Sequence, residues 1–516
     1  MRTAEGTADR IRERTERDEV FLELTRSICP VCKRVIDAEV NIRDDKVYLR
    51  KRCPEHGTFE ALVYGDAQMY MDSLRFNKPG TLPLQTQTPV VDGCPLDCGL
   101  CPEHKQHACL GLIEVNSNCN LDCPICFADS GHQPDGFSLT MEHVEAGIDA
   151  FVRAEGDSEV LMLSGGEPSL HPQILDFIDL AKDKGVRHVV LNTNGIRLAR
   201  DRAFAEALAE RKTAIYLQFD GLTPETHVAI RGKDLRDLKV MALANCEEFD
   251  LSVTIVAAVE KGVNDGELGD LLRFGFSHPA VHSVVLQPTT HAGRHPEFDP
   301  LERLTNSDVI HAIVDQMPDT FQLSDFFPVP CCFPTCRSVT YLLVDGDTVV
   351  PVPRILDIEE HLDYVTNRVL PDPAIRGALE KLWSASAVPG SDVTTESLAC
   401  ATCAIDLPAA AHDLAQKAFM IVIQDFQDAY TLNVRQLMKC CVEQITPDGR
   451  LIPFCAYNSV GYREEIRAQL TGIPVPAVVP NASELQPLLR PGPHGSTVAK
   501  ESIPESSGLG ERHILR

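Results

Sequence analysis

The chain has 516 residues, of which 44% are hydrophobic and 24% are charged, as in ordinary globular proteins of about two to four domains. Its formal net charge of −27 argues against nucleic-acid binding, because Lys and Arg supply most of the affinity for phosphate. No apolar run approaches the ~20 residues of a membrane span, and the charged N-terminus has no apolar signal segment. We therefore expect a cytoplasmic protein, with at most transient membrane contact, whose 19 cysteines stay reduced and bind metal.

The N-terminal segment, residues 1–85, is predicted to form a small metal-binding domain. Its first 25 residues are expected to form a charged helix with an apolar stripe of Val20, Phe21 and Leu24. Alternating strand residues then predict a hairpin that carries metal ligands at its two ends. The ligands are Cys29, Cys32, Cys53 and His56. Their spacing is typical of a tetrahedral zinc ribbon, with iron in a rubredoxin-like site as the competing interpretation. We expect one mononuclear zinc or iron ion with a structural role.

A second group of thiols follows a linker that is rich in Pro, Thr and Gln, residues 77–92. It lies in the segment 86–118 and consists of Cys94, Cys98, Cys101 and Cys109. Iron–sulfur clusters are held by Cys thiolates, and four thiolates can complete the coordination of a 4Fe–4S cluster. The segment therefore predicts a fully ligated auxiliary cluster.

A third group of thiols, Cys119, Cys123 and Cys126, repeats the spacing of the first three thiols of the second group. Three thiolates on a cluster of four irons leave one iron open for a ligand that is not protein. A zinc knuckle is the alternative, but a closed structural zinc site needs four ligands. The pattern therefore favours an iron–sulfur cluster with one open iron.

Apolar strand patterns alternate with helical patterns from residue 112 to about residue 325. The expected strands are 112–115, 159–163, 188–192, 214–219, 252–258 and 283–287. Six such units in series predict a parallel sheet with right-handed crossovers. A barrel of six units lacks two units of a closed one, so we expect a lateral mouth. Ligands bind at the carboxyl ends of the strands in such folds.

Polar and glycine residues occur where three of these strands end. They are Gly165, Gly166 and Glu167, then Asn192 and Asn194, then Gln218 and Asp220. Glycine lets the backbone approach a ligand closely, and a carboxylate accepts hydrogen bonds from an ammonium group. The amide and carboxylate side chains suit ribose hydroxyls, although Asn-Gly and Asp-Gly are also favoured turns. Arg231 is expected to pair with a carboxylate or to cap a helix.

A C-terminal Cys-rich region, residues 326–480, is predicted to hold another cluster. A hairpin that turns at Pro447, Asp448 and Gly449 pairs Thr446 with Arg450 and so places Cys441 opposite Cys455. The predicted ligands are Cys331, Cys336, Cys441 and Cys455. Cys332 and Cys440 could replace their neighbours, and Cys400 and Cys403 could also be ligands. Cys246 is expected in the core, and residues 481–516 are expected to be disordered.

The thiol spacing of Cys119, Cys123 and Cys126 resembles that of the radical S-adenosylmethionine (SAM) superfamily. In that family the open iron binds the amino and carboxylate groups of SAM, and an electron from the cluster cleaves SAM to a 5′-deoxyadenosyl radical. The resemblance implies that these three cysteines are catalytic, that Gly165 to Glu167 bind the SAM amino group, and that Gln287 lies near adenine. It also implies an external reductant such as flavodoxin or ferredoxin. A second SAM-binding cluster at Cys94 is an alternative, but no second glycine-rich strand end follows it.

The order of the Cys-rich segments, over roughly residues 27–465, resembles the tetraether lipid synthases, some relatives of which are described as dihydropterin C-methyltransferases. The fold class that follows is α/β: a partial (β/α)6 radical SAM barrel, residues 119–325, flanked by an N-terminal metal-binding ribbon and a C-terminal Cys-rich α+β cluster domain. The resemblance implies SAM, three 4Fe–4S clusters and one mononuclear metal. The expected activity is carbon–carbon bond formation at unactivated carbons of lipid tails. C-methylation of a pterin or another small molecule is the alternative.

Three other classes remain open. Radical SAM enzymes that insert sulfur sacrifice an auxiliary cluster, and those that modify peptides carry a Cys-rich C-terminal domain. A protein that only transfers electrons would explain many clusters, but it would not explain the strand end from Gly165 to Glu167.

Overall fold

The computed structural model describes residues 18–132, 136–156, 158–295, 299–330, 332–346, 348–355 and 418–472. Within these ranges, no helix has the length and apolar character that a bilayer span requires. Cys331, Cys400, Cys403 and the predicted tail 481–516 lie outside the described residues.

The N-terminal domain is an antiparallel sheet in which four strands pair in chain order. The strands are β1 (Glu19–Ile28), β2 (Val35–Arg43), β3 (Lys46–Cys53) and β4 (Gly57–Tyr64), and the helix α1 (Ala67–Ser73) follows. Asp44 and Asp45 form the turn of the central hairpin with φ of 50° and 56°, the left-handed conformation that suits a two-residue hairpin turn.

The prediction of a helix through residue 25 is wrong for residues 19–25, which belong to β1. This strand pairs with β2 along its whole length, from Glu19 opposite Arg43 to Ile28 opposite Val35. Val20 and Leu24 stay exposed, at 57% and 66% of their surface. The helical spacing of these apolar residues did not produce a helix, because their side chains do not pack into a core. Backbone pairing with β2 therefore determined the conformation of this segment.

All six predicted strands of the barrel are present, in parallel pairing and in chain order. They are β5 (Leu110–Asn116), β6 (Val160–Gly165), β7 (His188–Thr193), β8 (Ala214–Gln218), β9 (Val253–Val259) and β10 (Val281–Pro288). The helices that accompany them are α2 (Met141–Glu155), α3 (Ile174–Asp183), α4 (Ile196–Arg200), α5 (Arg202–Glu210), α6 (Pro224–Arg231), α7 (Arg236–Glu248), α8 (Leu268–Ser277) and α9 (Asn306–Gln316). A large apolar core fills the space between strands and helices and includes Phe151, Phe177 and Leu272. Cys246 of α7 is fully buried in this core, as expected.

The C-terminal region adds strands to the barrel sheet instead of forming a sheet of its own. Its strands are β11 (Phe327–Pro328), β12 (Arg337–Asp345), β13 (Thr348–Pro351), β14 (Ala418–Gln424), β15 (Val442–Ile445) and β16 (Leu451–Pro453). One of them, β14, pairs in parallel with β10, and β15 pairs in parallel with β5. Both edges of the six-stranded unit are thus covered, so that eight parallel strands follow one another across the sheet. An uncovered edge strand leaves backbone groups unpaired, which is a physical reason for this arrangement.

The predicted C-terminal hairpin has the expected register. Ile445 lies opposite Leu451, Glu443 lies opposite Pro453, and the Thr446 N–H donates to the Arg450 carbonyl at 2.9 Å. Gly449 in the turn has a φ of 81°, which a glycine adopts without strain. The helices of this region are α10 (Val434–Leu437), α11 (Phe454–Ser459) and α12 (Tyr462–Thr471).

Candidate active site

A cavity of about 250 Å³ is lined by the parallel strands of the large sheet and extends to their carboxyl ends. Its lining includes the loop with Cys119, the ends of β6 to β10, and residues of the C-terminal strands β14 and β15. The strands that cover the two edges of the six-stranded unit are therefore walls of the cavity, at the side where the sequence predicted an open mouth.

The three thiols Cys119, Cys123 and Cys126 all line this cavity. The loop is held in shape by paired backbone hydrogen bonds of 2.9 Å between Cys126 and Arg294 in both directions. The N–H of Leu121 donates to the Cys119 sulfur at 3.4 Å, and the N–H of Ser130 donates to the Cys126 sulfur at 3.4 Å. Such donors suit sulfur atoms that carry negative charge, as cluster ligands do. Three thiols that share one cavity fit a cluster with one iron open to a ligand.

Arg231 lies next to this loop and is held in place by Asp220. The Arg231 guanidinium makes two hydrogen bonds to the Asp220 carboxylate, at 2.6 and 2.5 Å. Burial raises the pKa of the Cys123 thiol, and the positive charge of Arg231 opposes this rise. Gln218 accepts from the same guanidinium at 2.7 and 2.8 Å. Asp220 is fully buried and also accepts from the Ala258 N–H. Its carboxylate thus orients Arg231, and the cofactor contact predicted for Asp220 stays a prediction.

The strand end from Gly165 to Glu167 lies directly against the cysteine loop. Gly165 has a φ of 134°, and a Cβ added there would lie 2.3 Å from the Asn116 carbonyl oxygen. A Cβ on Gly166 would lie 2.3 Å from the Asn118 carbonyl oxygen. Both glycines are therefore required by close backbone approach, and both line the cavity.

The Glu167 carboxylate lines the cavity and is 1% exposed. It accepts hydrogen bonds from the Ser169 N–H at 3.1 Å, the Thr193 hydroxyl at 2.7 Å and the Asn194 N–H at 2.7 Å. A carboxylate has about four acceptor positions, so one remains for an ammonium group. The predicted contact with the SAM amino group stays a prediction.

The predicted amide side chains also line the cavity. Asn192 donates to the Ser164 hydroxyl at 3.0 Å, and Asn194 donates to the Asn120 side-chain oxygen at 2.7 Å. Gln287 donates at 3.0 Å to the hydroxyl of Tyr216. The structure thus brings Asn192, Asn194, Gln218 and Gln287 to one cavity, and their contacts with ribose or adenine stay predictions.

The inner part of the cavity contains polar residues that the sequence did not identify. Tyr216, Arg337 and Gln424 lie there beside Val256 and Val285. The Arg337 guanidinium donates to the Gln424 side-chain oxygen. Arg337 belongs to β12 and Gln424 to β14, so the sequence could identify them only if it had predicted that these strands pair with each other.

The ribbon ligands Cys29, Cys32, Cys53 and His56 come together as predicted, with all ligand atoms within 4.8 Å of one another. The sulfurs of Cys29 and Cys53 lie 3.6 and 3.5 Å from the Nδ1 atom of His56. Three thiols and one imidazole at these distances fit a single tetrahedral ion.

Cys94, Cys98 and Cys101 line a small cavity together with His104, Leu437 and Pro453. The neighbouring thiol of Cys94, together with burial, raises the pKa of Cys98 well above its usual value. The three thiols are therefore adjacent, and they face the helix α10 and the hairpin instead of the barrel cavity.

Cys109 lies with a different set of thiols from the one predicted. In the parallel pairing of β5 with β15, Leu110 lies opposite Val442, so the preceding residues Cys109 and Cys441 are neighbours. A hydrogen bond from the Cys109 side chain contributes to lowering the pKa of Cys441, and the sulfurs of Cys332 and Cys441 lie 3.0 Å apart. The structure therefore groups Cys109, Cys332 and Cys441.

The remaining C-terminal thiols lie near this group, since burial lowers the pKa of Arg337 and Cys336 acts together with Cys441, Cys332 and Cys109 to raise it. The Cys336 sulfur accepts from the Gln424 side chain at 3.3 Å, and the Cys455 sulfur accepts from the Gln427 N–H at 3.3 Å. Cys440 donates to the Val442 carbonyl at 3.2 Å. Cys332, the alternative to Cys331 in the predicted set, lies beside Cys441, and Cys109 joins them because β15 pairs with β5 as well as with β16. The ligands of this cluster stay a prediction.

Family models match two parts of the chain. A family model of the radical SAM superfamily matches residues 113–275, and a model of the HMPTM N-terminal zinc ribbon domain matches residues 21–65. The probable GTP 3′,8-cyclase of Methanothermobacter thermautotrophicus is 28% identical over 177 residues, which cover 34% of this chain and 55% of that relative. Among solved structures, native anSMEcpe with bound AdoMet and Cp18Cys peptide has a TM-score of 0.34 at 19% identity, over 41% of this chain and 59% of that chain.

One relative matches nearly the whole chain. The 7,8-dihydro-6-hydroxymethylpterin dimethyltransferase of Methanocaldococcus jannaschii is 32% identical over 485 residues, which cover 87% of this chain and 95% of the relative. A match over 87% of the chain is much longer than the barrel, so the likeness is not confined to the barrel. The chain is an iron–sulfur radical SAM enzyme, and it belongs to the family of this pterin dimethyltransferase.

Proposed function

We propose that this enzyme is a C-methyltransferase that forms a carbon–carbon bond on a small heteroaromatic substrate of the pterin class. The observation that carries the proposal is the polar set Tyr216, Gln287, Arg337 and Gln424 in the cavity. Burying polar groups beside a saturated hydrocarbon costs free energy, whereas a heterocycle with nitrogen and oxygen atoms on its edge can bond to them. The name of the near full-length relative supports the same substrate class.

The bound cluster and SAM would supply a carbon radical able to abstract hydrogen from a C–H bond that no protein side chain can deprotonate. The chain's own residues position the reactants. Cys119, Cys123 and Cys126 would hold the cluster, the glycines Gly165 and Gly166 let the backbone approach SAM, and Glu167 would accept from its amino group. Residues of β14 and β15 form part of the wall, which would limit the access of water to the reacting carbon.

We propose three 4Fe–4S clusters and one mononuclear ion, with a revised grouping of the auxiliary ligands. Cys94, Cys98 and Cys101 would hold one auxiliary cluster, and Cys109, Cys332 and Cys441 would hold the other. Anaerobic protein should contain about thirteen metal ions. An iron and sulfide assay that finds a single cluster would contradict this composition.

A reductant such as flavodoxin or ferredoxin would deliver the electron, and the cytoplasm would be the compartment. None of the described cysteines forms a disulfide, which suits a reducing compartment.

The test of the activity is anaerobic reconstitution with SAM, dithionite and 7,8-dihydro-6-hydroxymethylpterin, in the presence of cell extract as a source of one-carbon donors. We expect 5′-deoxyadenosine and a pterin whose mass has increased by one or more methyl groups. Absence of 5′-deoxyadenosine under these conditions would contradict every radical SAM activity considered for this chain.

Joining of lipid tails is the second candidate. Apolar side chains of the inner cavity favour it, among them Leu112, Met162, Val285 and Val422. Lipid mass spectrometry of a heterologous host that expresses the chain distinguishes the two candidates. Coupled tails, lighter by two hydrogens than two separate tails, would support this candidate, whereas unchanged lipids with a methylated pterin would exclude it.

A further inference from the structure

Three phenylalanines from separate parts of the chain meet at the wall of the cavity. Phe127 follows Cys126 directly, Phe426 lies just after β14, and Phe454 begins α11. The rings of Phe127 and Phe454 are stacked, with centroids 5.2 Å apart and planes 7° apart. The Phe426 ring lies 5.7 Å from the Phe127 ring and 4.9 Å from the Phe454 ring.

These rings are only partly buried, although they lie in the interior of the fold. All three line the cavity, so ring surface is open to it. If the rings served only as core packing, their faces would be covered by other apolar side chains. Aromatic faces that remain open toward a cavity instead offer a stacking surface for a ligand.

Arg463 adds a charged hydrogen-bond donor to the same wall. Its side chain is 3% exposed, and its guanidinium carbon lies 5.7 Å from the centroid of the Phe127 ring. One nitrogen donates to the Phe127 carbonyl at 2.8 Å, and another lies 3.5 Å from the Glu114 carboxylate. Its Nε atom is buried and has no hydrogen-bond partner. A buried donor without a partner is unfavourable, so an acceptor atom on a bound ligand would stabilise this arrangement.

We propose that Phe127, Phe426, Phe454 and Arg463 form a binding subsite for the substrate ring. A planar heterocycle stacks on the phenyl rings, and an oxygen or nitrogen on its edge accepts a hydrogen bond from Arg463. This inference rests on the proposed function, because it assumes that the substrate and not a lipid tail enters the cavity as an aromatic ring. It assigns the ring to the wall formed by the C-terminal region, and SAM to the strand ends of the barrel.

The test is isothermal titration calorimetry of the anaerobic, iron-loaded protein with 7,8-dihydro-6-hydroxymethylpterin, guanine and, separately, SAM. Phe454→Leu should raise the Kd for the pterin about 2- to 10-fold, the range that one stacked aromatic contact contributes. Arg463→Gln should raise it by about 10-fold or more, because a hydrogen bond from a charged donor is lost. Arg463→Lys, which keeps the charge, should have a smaller effect than Arg463→Gln. Phe276→Leu, which alters a ring on α8 that packs on Phe419, is the matched control and should change nothing.

The outcomes separate the subsite from the proposed function. If the wild type binds the pterin and neither Phe454→Leu nor Arg463→Gln weakens binding, the subsite is wrong and the proposed function stands. If the wild type binds guanine but not the pterin, and the two variants weaken guanine binding, the subsite stands and the substrate class needs revision. If the wild type binds no heterocycle, or if the variants weaken SAM instead, the subsite is overturned. Iron content of each variant shows that it has folded.

Discussion

Two loops of this molecule carry the same cysteine spacing in different surroundings. Cys119, Cys123 and Cys126 face a cavity of about 250 Å³, whereas Cys94, Cys98 and Cys101 face one of about 10 Å³. Only the first cavity has room for a ligand of the size of SAM. The spacing therefore determines how many thiolates a loop offers, and the surroundings determine whether a small molecule can reach an open iron.

The helix α12 contacts both loops. The Tyr462 hydroxyl lies 2.7 and 2.8 Å from the carbonyls of Pro95 and Leu96, and it accepts from the Cys98 N–H at 3.2 Å. Arg463 and Arg467 donate at 2.8 Å to the carbonyls of Phe127 and Ala128, just beyond the other loop. One helix thus sets the relative position of two thiol groups that the sequence places 25 residues apart, from Cys94 to Cys119.

The largest difference between the loops should appear when each loses its thiols. Replacing Cys119, Cys123 and Cys126 by Ala should abolish SAM cleavage, because only this loop opens to the large cavity. The triple replacement at Cys94, Cys98 and Cys101 should leave SAM cleavage in place and stop product formation. Chromatographic assay of 5′-deoxyadenosine and of product measures both effects. Full product formation by the second variant would contradict an auxiliary role for that loop.

Glu114→Leu should weaken the attachment of α12 to the barrel. Glu114 is buried and pairs with Arg467 at 3.1 Å and with Arg463 at 3.5 Å, and these guanidinium groups hold the pKa of its carboxyl below the usual range. Removing one partner of a buried ion pair costs about 3–5 kcal/mol of unfolding free energy. Anaerobic urea denaturation measures the loss. Glu206→Leu on α5 serves as a control, and an equal loss there would contradict this role for Glu114.

Arg231→Lys should impair only the SAM loop, the loop that carries Cys119, Cys123 and Cys126. Lysine cannot make the two hydrogen bonds that the guanidinium makes to Asp220. Loss of a residue that orients metal ligands typically costs about 10- to 100-fold in activity or metal affinity. The rate of SAM cleavage and the number of irons per chain report the effect. Exposed Arg236→Lys is the control, and equal effects of both substitutions would contradict the proposal.

Tyr462→Phe should affect the other loop. Without the hydroxyl, the buried Cys98 N–H loses its acceptor, which costs about 1–3 kcal/mol. We expect lower thermal stability and a more labile auxiliary cluster, seen as faster iron release to a chelator. The cluster at Cys119, Cys123 and Cys126 should release its iron at the normal rate. Faster release there would show that the Tyr462 hydroxyl does not act on the Cys98 loop alone.

The smallest effect concerns pH. Burial lowers the pKa of Lys239, beside the SAM loop, to about 8, and its ammonium group donates to the Asn194 carbonyl at 2.6 Å. Since an unfolded lysine titrates near 10.4, the unfolded state binds more protons between about pH 8 and 10. Stability should therefore rise with pH in this window, by at most about 1.4 kcal/mol per pH unit. Lys239→Met should remove this part of the pH dependence in denaturation curves. An unchanged slope would show that Lys239 keeps its usual pKa.

Local patterns in the sequence predicted much of the fold. The six barrel strands are correct because each is a short apolar run between helical patterns, and the C-terminal hairpin is correct in register because a glycine turn fixes the pairing of Thr446 with Arg450. The four ribbon ligands were also identified, since ligand spacing in a zinc ribbon is local. The prediction for residues 19–25 failed because pairing with β2 is not visible in that segment alone.

The sequence by itself thus determined the barrel strands, the thiol loops and the ribbon ligands, because all of these are encoded by neighbours along the chain. Only the tertiary structure decided that Cys109 meets Cys441, that Arg337 meets Gln424, and that three distant phenyl rings share one wall. The contact of Arg337 with Gln424 depends on the antiparallel pairing of β12 with β14, and the other two depend on β14 and β15 pairing with the two edges of the barrel sheet. Edge strands accept any strand that satisfies their backbone hydrogen bonds, so this pairing is set by the competition among all strands of the chain and not by a local pattern.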